Sequence, residues 1–98
     1  MPRPRICRRV RGAPGINFFK PAGARLQKLE EITLTLDEYE AVRLVDFENV
    51  EQTLACKKIG VSQPTLSRLL KSARKKIAEA IVKGKAIRIF GGNYKFYR

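Results

Sequence analysis

The stretch from Gln52 to Lys71, QTLACKKIGVSQPTLSRLLK, constrains this chain more than any other. It runs small residue, glycine, apolar residue, serine, then two apolar residues three apart. That order fits two helices meeting at a tight turn. Cys56 holds the small-residue position where the helices meet, Gly60 takes the turn, and Val61 packs beneath it. Ser62 is placed to cap the second helix, because a serine hydroxyl accepts the unsatisfied N–H groups at a helix start. Leu66 and Leu69 drive the second helix onto the first. Two short helices around a glycine-containing turn are the unit that sets a recognition helix into the major groove of DNA. The alternative for the same pattern is an ordinary helical hairpin in some other core.

Charge narrows the choice. The 98 residues suit one domain and carry a formal net charge of +12,. So basic a surface implies a polyanion partner, either nucleic acid or an anionic membrane. No apolar run approaches the roughly 18 residues of a spanning helix. The arginine-rich start lacks the apolar core of a secretory signal, so a cytoplasmic location is expected. Cys7 and Cys56 are the only cysteines and histidine is absent. Two thiols fall short of a four-ligand zinc site, so neither a metal nor a cofactor is expected. The thiols read as reduced and structural, with a redox pair as the alternative. Without histidine the usual general base is missing, which argues against an enzyme.

The charge is also segregated. Residues 1–28 carry a net +8, residues 29–54 a net −7 and residues 55–98 a net +11. An acidic flank between two basic ones implies a protein with a defined DNA-facing side.

Residues 1–15 hold Arg3, Arg5, Arg8, Arg9 and Arg11 among prolines and glycines, which exclude a regular helix,. They read as an extended arm that follows phosphates or enters a minor groove. A solvated tail, or a short edge strand over Ile6 to Val10, are the alternatives. Ile16 to Lys20 is a β-prone run stopped by Pro21 and Gly23. Its Phe18 and Phe19 fit a strand anchored in the core better than a base-stacking platform.

Thr35 followed by Glu38 is a capping box that starts a helix, and Ala41, Leu44 and Val45 give it one apolar face. Glu40, Asp46, Glu48 and Glu51 make this region a poor neighbour for phosphate. It is expected to support the motif from behind or to meet a basic partner. In the motif's first helix, Gln52 to Ile59, Leu54, Ala55, Cys56 and Ile59 are available for burial. The long second helix runs from Gln63 to Lys83, with Pro64 tolerated in its first turn. Leu66, Leu69, Leu70, Ala73, Ile77, Ala80 and Ile81 define its buried stripe, and Arg68, Lys71 and Lys75 lie opposite. Gly84 ends it. Lys85 to Phe90 and Asn93 to Tyr97 alternate on either side of Gly91-Gly92, which reads as a β-hairpin.

The motif region resembles region four of bacterial sigma factors, in which an LT-x-x-E helix precedes a GVS turn and a long recognition helix. The whole chain also resembles a family of short archaeal and bacterial proteins that are uncharacterised but predicted to bind DNA. The residues carrying this likeness are MPRPR-x-C-R-R-V at 1–10, FKPAG at 19–23 and LTLDEYEAVRL at 34–44. They continue with GVSQPTLSRLL at 60–70, AR at 73–74 and GKAIRI-x-GGNY at 84–94. The resemblance implies a sigma-region-four-like helix-turn-helix and a regulatory role. Cys56 departs from the alanine that the motif favours, but it is small enough to keep the helices packed.

The fold expected is mainly α with minor β, a three-helix core plus a small β-ribbon from the N- and C-terminal segments. Residues 1–33 form the arm and short strand, 34–84 the helix-turn-helix and 85–98 the ribbon, all in one compact domain. The function expected is sequence-specific binding of double-stranded DNA by a transcriptional regulator, as a homodimer. Ser62, Gln63, Thr65, Ser67 and Arg68 should approach base edges, where Gln63 suits adenine and Arg68 guanine. Lys57, Lys58, Lys71, Arg74 and Lys75 should hold phosphates, joined by Arg3 and Arg5 from the arm. Two alternatives remain at this point. One is a sigma-like factor whose acidic helix, through Glu38 and Glu40, docks on RNA polymerase. The other is an RNA-binding protein that uses Phe18 or Phe19 for stacking.

Overall fold

Thr35 is the residue at which strand gives way to helix. Its backbone stays extended, its hydroxyl caps the Glu38 N–H, and its own N–H donates to Glu38 Oε1 at 2.9 Å. Both halves of the capping box are therefore made. The computed structural model describes residues 8–11, 15–23, 29–92 and 94–96. Within them the order is β1 (Arg8–Val10), β2 (Phe18–Phe19), β3 (Glu31–Leu34), α1 (Leu36–Val42), α2 (Gln52–Ile59), α3 (Gln63–Lys83), β4 (Ala86–Ile89) and β5 (Tyr94–Phe96). The architecture is mainly α with a minor β component, as the sequence predicts.

α1 does not stop cleanly. It widens into a π-helical turn over Arg43–Phe47, where the Glu48 N–H donates to the Arg43 carbonyl at 2.9 Å. An i→i+5 turn of this kind takes up one residue more than an α turn. Asn49, with φ of 58°, then redirects the chain toward α2. Among the described residues no helix is long and apolar enough to cross a membrane.

β4 is the central strand of a three-stranded sheet. β2 lies antiparallel on one side, with Phe19 opposite Ile87, and β3 lies parallel on the other, with Ile32 opposite Ile87. β5 pairs instead with β1, in parallel, with Arg8 opposite Tyr94. The expected hairpin across Gly91-Gly92 is thus corrected: β2 and β3 occupy both edges of β4 and leave no place for β5. The segment after β4 crosses the start of α1, where the Phe90 N–H donates to the Leu34 carbonyl at 3.1 Å and the Gly91 carbonyl accepts from the Leu36 N–H at 3.0 Å. A Cβ on Gly92 would fall 2.7 Å from Asp37 Oδ1 and 2.8 Å from Thr35 Cβ. The crossing needs glycine for that reason. The strand seen as an alternative within Ile6 to Val10 forms over Arg8–Val10.

Two clusters make the core. Ala41, Leu44, Ala55, Cys56, Ile59, Leu66 and Leu70 join α1, α2 and α3. Leu34, Leu36, Ala73 and Ile89 join the sheet to the middle of α3, and Val42 packs against both clusters. Burying each large aliphatic side chain contributes about 1.5–3 kcal/mol. Cys56 behaves as a small apolar residue whose Sγ donates to the Thr53 carbonyl at 3.1 Å. Cys7 lies outside the described residues. Two members of the expected buried stripes are in fact outside: Leu54 is half-exposed and Ile81 is 76% exposed. By Ile81, α3 has run past α1 and α2, and only the sheet edge remains beside it.

Candidate nucleic-acid interface

The turn between α2 and α3 is built as its residues dictate. Gly60 adopts φ of 83°, a left-handed conformation that costs glycine nothing,. Its N–H and that of Val61 both donate to the Cys56 carbonyl at 2.9 Å. Ser62 remains extended and caps α3, its Oγ accepting from the Thr65 N–H at 3.3 Å. The Ser62 hydroxyl donates to Thr65 Oγ1 at 3.0 Å, and Arg68 Nη2 reaches that same oxygen at 3.4 Å. Ser62, Thr65 and Arg68 thereby form a polar ladder up the first turns of α3.

Arg9 adds a brace that its grouping with the arm does not foretell. From β1 its guanidinium donates to the Lys57 carbonyl at 2.9 Å, at the end of α2. It lies so close over Gly60 that a Cβ there would sit 3.3 Å from Nε. The side chain also offers positive charge to the negative end of α2, where Lys57 and Lys58 do the same,. Arg3 and Arg5 lie outside the described residues.

Ser62 at the cap and Gln63, Ser67, Arg68, Lys71, Arg74 and Lys75 on α3 are all exposed, as are Lys57 and Lys58 on α2. Thr65 is half-buried. Arg74 is engaged: its Nη2 lies 2.7 Å from Asp46 Oδ1 and its Nε 3.0 Å from Oδ2. The Arg74 hydrogen bonds hold the Asp46 carboxyl below the usual value and raise the Arg74 guanidinium in return.

Within the acidic flank the carboxylates of α1 face inward, whereas Glu30, Glu31, Asp46, Glu48 and Glu51 are exposed. Asp37, Glu38 and Glu40 are buried, Glu40 completely. Glu40 accepts from Arg43 Nε at 2.7 Å, from Arg43 Nη2 at 2.8 Å and from the Arg11 N–H at 3.0 Å. Glu38 accepts from Lys76 Nζ at 2.7 Å and from the Ser72 hydroxyl, which ties the start of α1 to the middle of α3. Burial pushes the Glu38 carboxyl up, but the bonds from Lys76, Ser72 and Thr35 outweigh it and leave it below its ordinary value. Glu38 and Glu40 are therefore not the outward-facing docking charges considered from sequence. Arg88 covers the ring of Phe18 at 4.7 Å, and Phe19 is half-exposed beside the end of α3.

Fold and surface together define a small basic domain in which a minor sheet braces two helices joined at a tight turn, with cations along the outer face of the longer one. The chain belongs to the family described as "Protein of unknown function DUF134", whose model matches residues 1–97. It is 54% identical over 94 residues to a UPF0251 protein of Moorella thermoacetica, a match covering 96% of this chain and 63% of that protein. It is 53% identical over 97 residues to UPF0251 protein TTE1845 of Caldanaerobacter subterraneus subsp. tengcongensis, covering 99% of this chain and 82% of the relative. A third relative, UPF0251 protein Teth39_0655 of Thermoanaerobacter pseudethanolicus, is 50% identical over 97 residues, covering 99% and 82% respectively. No solved structure matches the chain.

Proposed function

We propose that this protein binds double-stranded DNA sequence-specifically, with α2 and α3 acting as a sigma-region-four-like helix-turn-helix, and that it regulates transcription from the sites it occupies. The observation that carries this reading is the first half of α3. There a capped helix start and a polar ladder, exposed at Ser62 and Arg68, follow a hydrogen-bonded turn, with Lys71 and Lys75 exposed one and two turns further on. Helix starts with this composition read base edges, and flanking cations hold phosphates. Gln63 and Arg68 carry the groups suited to bidentate bonds with adenine and guanine. Arg9, Lys57 and Lys58 sit at the turn, where backbone phosphates pass a docked motif.

The test is selection of short duplexes from a random pool, repeated at several salt concentrations. The expected outcome is an enriched motif whose binding survives moderate salt. No enrichment, with affinity collapsing as salt rises, would refute sequence reading and leave only attraction between a basic surface and any polyanion.

A further inference from the structure

The outer face of α3 changes character along its length. From Ser67 to Lys75 it is polar and basic, but after Lys75 the same face continues through Ala78, Ile81 and Val82, all exposed. Ile81 and Val82 are 76% and 81% exposed. Beside them runs a mainly apolar groove of about 320 Å³ between the last turns of α3 and the edge strand β2, where Phe19, Pro21, Ala80, Ile81 and Ile87 are joined by Lys20 and Lys85. An apolar knob and an apolar groove thus share one end of a domain whose net charge is +12.

We infer that this end is a two-fold interface with a second copy of the same chain. A knob and a groove side by side are self-complementary under two-fold rotation: Ile81 and Val82 of each copy enter the groove of the other. The area is adequate. Phe19, Ile81 and Val82 expose on the order of 400 Å² of apolar surface per copy, and with the groove walls a pair buries on the order of 1,000 Å², the threshold for a specific interface. So small an area, opposed by repulsion between two basic chains, makes the dimer weak and dependent on salt. Screening reduces the repulsion while apolar contact persists.

On the DNA-binding reading proposed above, the geometry gains a use. About 16 residues, or roughly 24 Å of helix, separate the Ser62–Ser67 end of α3 from the Ile81–Val82 end. A pair joined near Ile81 holds two α3 starts on one particle, which is what a two-fold-related site on DNA requires.

Sedimentation velocity of the whole chain without DNA, over a concentration series at low and high salt, tests the interface by itself. The native protein is expected to dimerise and to do so more strongly at high salt. Ile81→Asp and Phe19→Gln, one from the knob and one from the groove, should each weaken dimerisation at least tenfold with circular dichroism unchanged. A native monomer at every salt and concentration overturns the interface, as does a dimer indifferent to both substitutions. Binding to paired half-sites then separates the two proposals. Loss of cooperative binding in Ile81→Asp with single-site binding intact supports both, whereas a salt-strengthened dimer with no sequence preference on DNA retains the interface and refutes the DNA reading.

Discussion

The start of α1 and the outer face of α3 carry opposite charges and treat them in opposite ways. Asp37, Glu38 and Glu40 are withdrawn from water and surrounded by donors, whereas Arg68, Lys71 and Lys75 stand in solvent. Buried charge must be paired because desolvation costs several kcal/mol per ion. Exposed cations contribute little to stability and stay available to a partner. The carboxylates thus belong to the architecture, and Glu38 takes Lys76 with it as Glu40 takes Arg43. The remaining cations are the ones that give the surface its field.

The strongest way to break this contrast is Glu38→Gln. It removes the charge that pairs with Lys76 and weakens the bonds tying α1 to α3, so a loss of about 3 kcal/mol is expected. A thermal melt should fall by about 12–24 °C for a domain of this size. Because the folded Glu38 carboxyl lies below its ordinary value of 4.5, its contribution is complete above that pH and is lost as pH falls through the folded value. The variant should therefore show a shallower acid limb as well as a lower melt. A native-like melt and an unchanged acid limb would mean that the α1–α3 tie does not hold the fold.

Arg68→Ala should do the reverse, leaving the melt unchanged. It should cost about 1–3 kcal/mol of affinity on the selected duplex and blur one base position. An equal loss on random duplexes would reduce Arg68 to a phosphate contact. Asp46→Asn sharpens the border between the two regions, because Arg74 is exposed yet paired. Stability should change by less than about 1 kcal/mol. Affinity for duplex should rise a few-fold and the salt slope should steepen by about one phosphate. An unchanged slope would assign Arg74 to the architecture alone.

Sequence revealed those features whose causes are local. Thr35 with Glu38, Gly60, Ser62 and Gly84 each settle a helix end within four residues, and the exposed face at Arg68, Lys71 and Lys75 follows from helical spacing. What was not legible depends on partners far along the chain. Gly91 and Gly92 both adopt positive φ, as a hairpin turn would need, yet the edges of β4 were already taken. Glu31–Leu34 alternates Ile32 and Leu34 inward, but four residues flanked by acid give too weak a signal to announce a strand. Nothing near Arg74 points to Asp46, and nothing near Arg9 points to Gly60. In both cases the pairing is created by packing.

The parallel pairing of β1 with β5 bears on how the molecule is made. Arg8 and its partner Tyr94 are 86 positions apart. On a ribosome, the strand carrying Arg9 emerges well before β5 and lacks that neighbour until the three helices have followed. The three helices hold a core of their own between Ala41 and Leu70 and can assemble first, since its contacts span far fewer positions than the β1–β5 pairing,. The guanidinium that braces the turn from β1 is then among the last groups to be secured. A nascent chain would display its long basic helix before the strand behind that turn had locked.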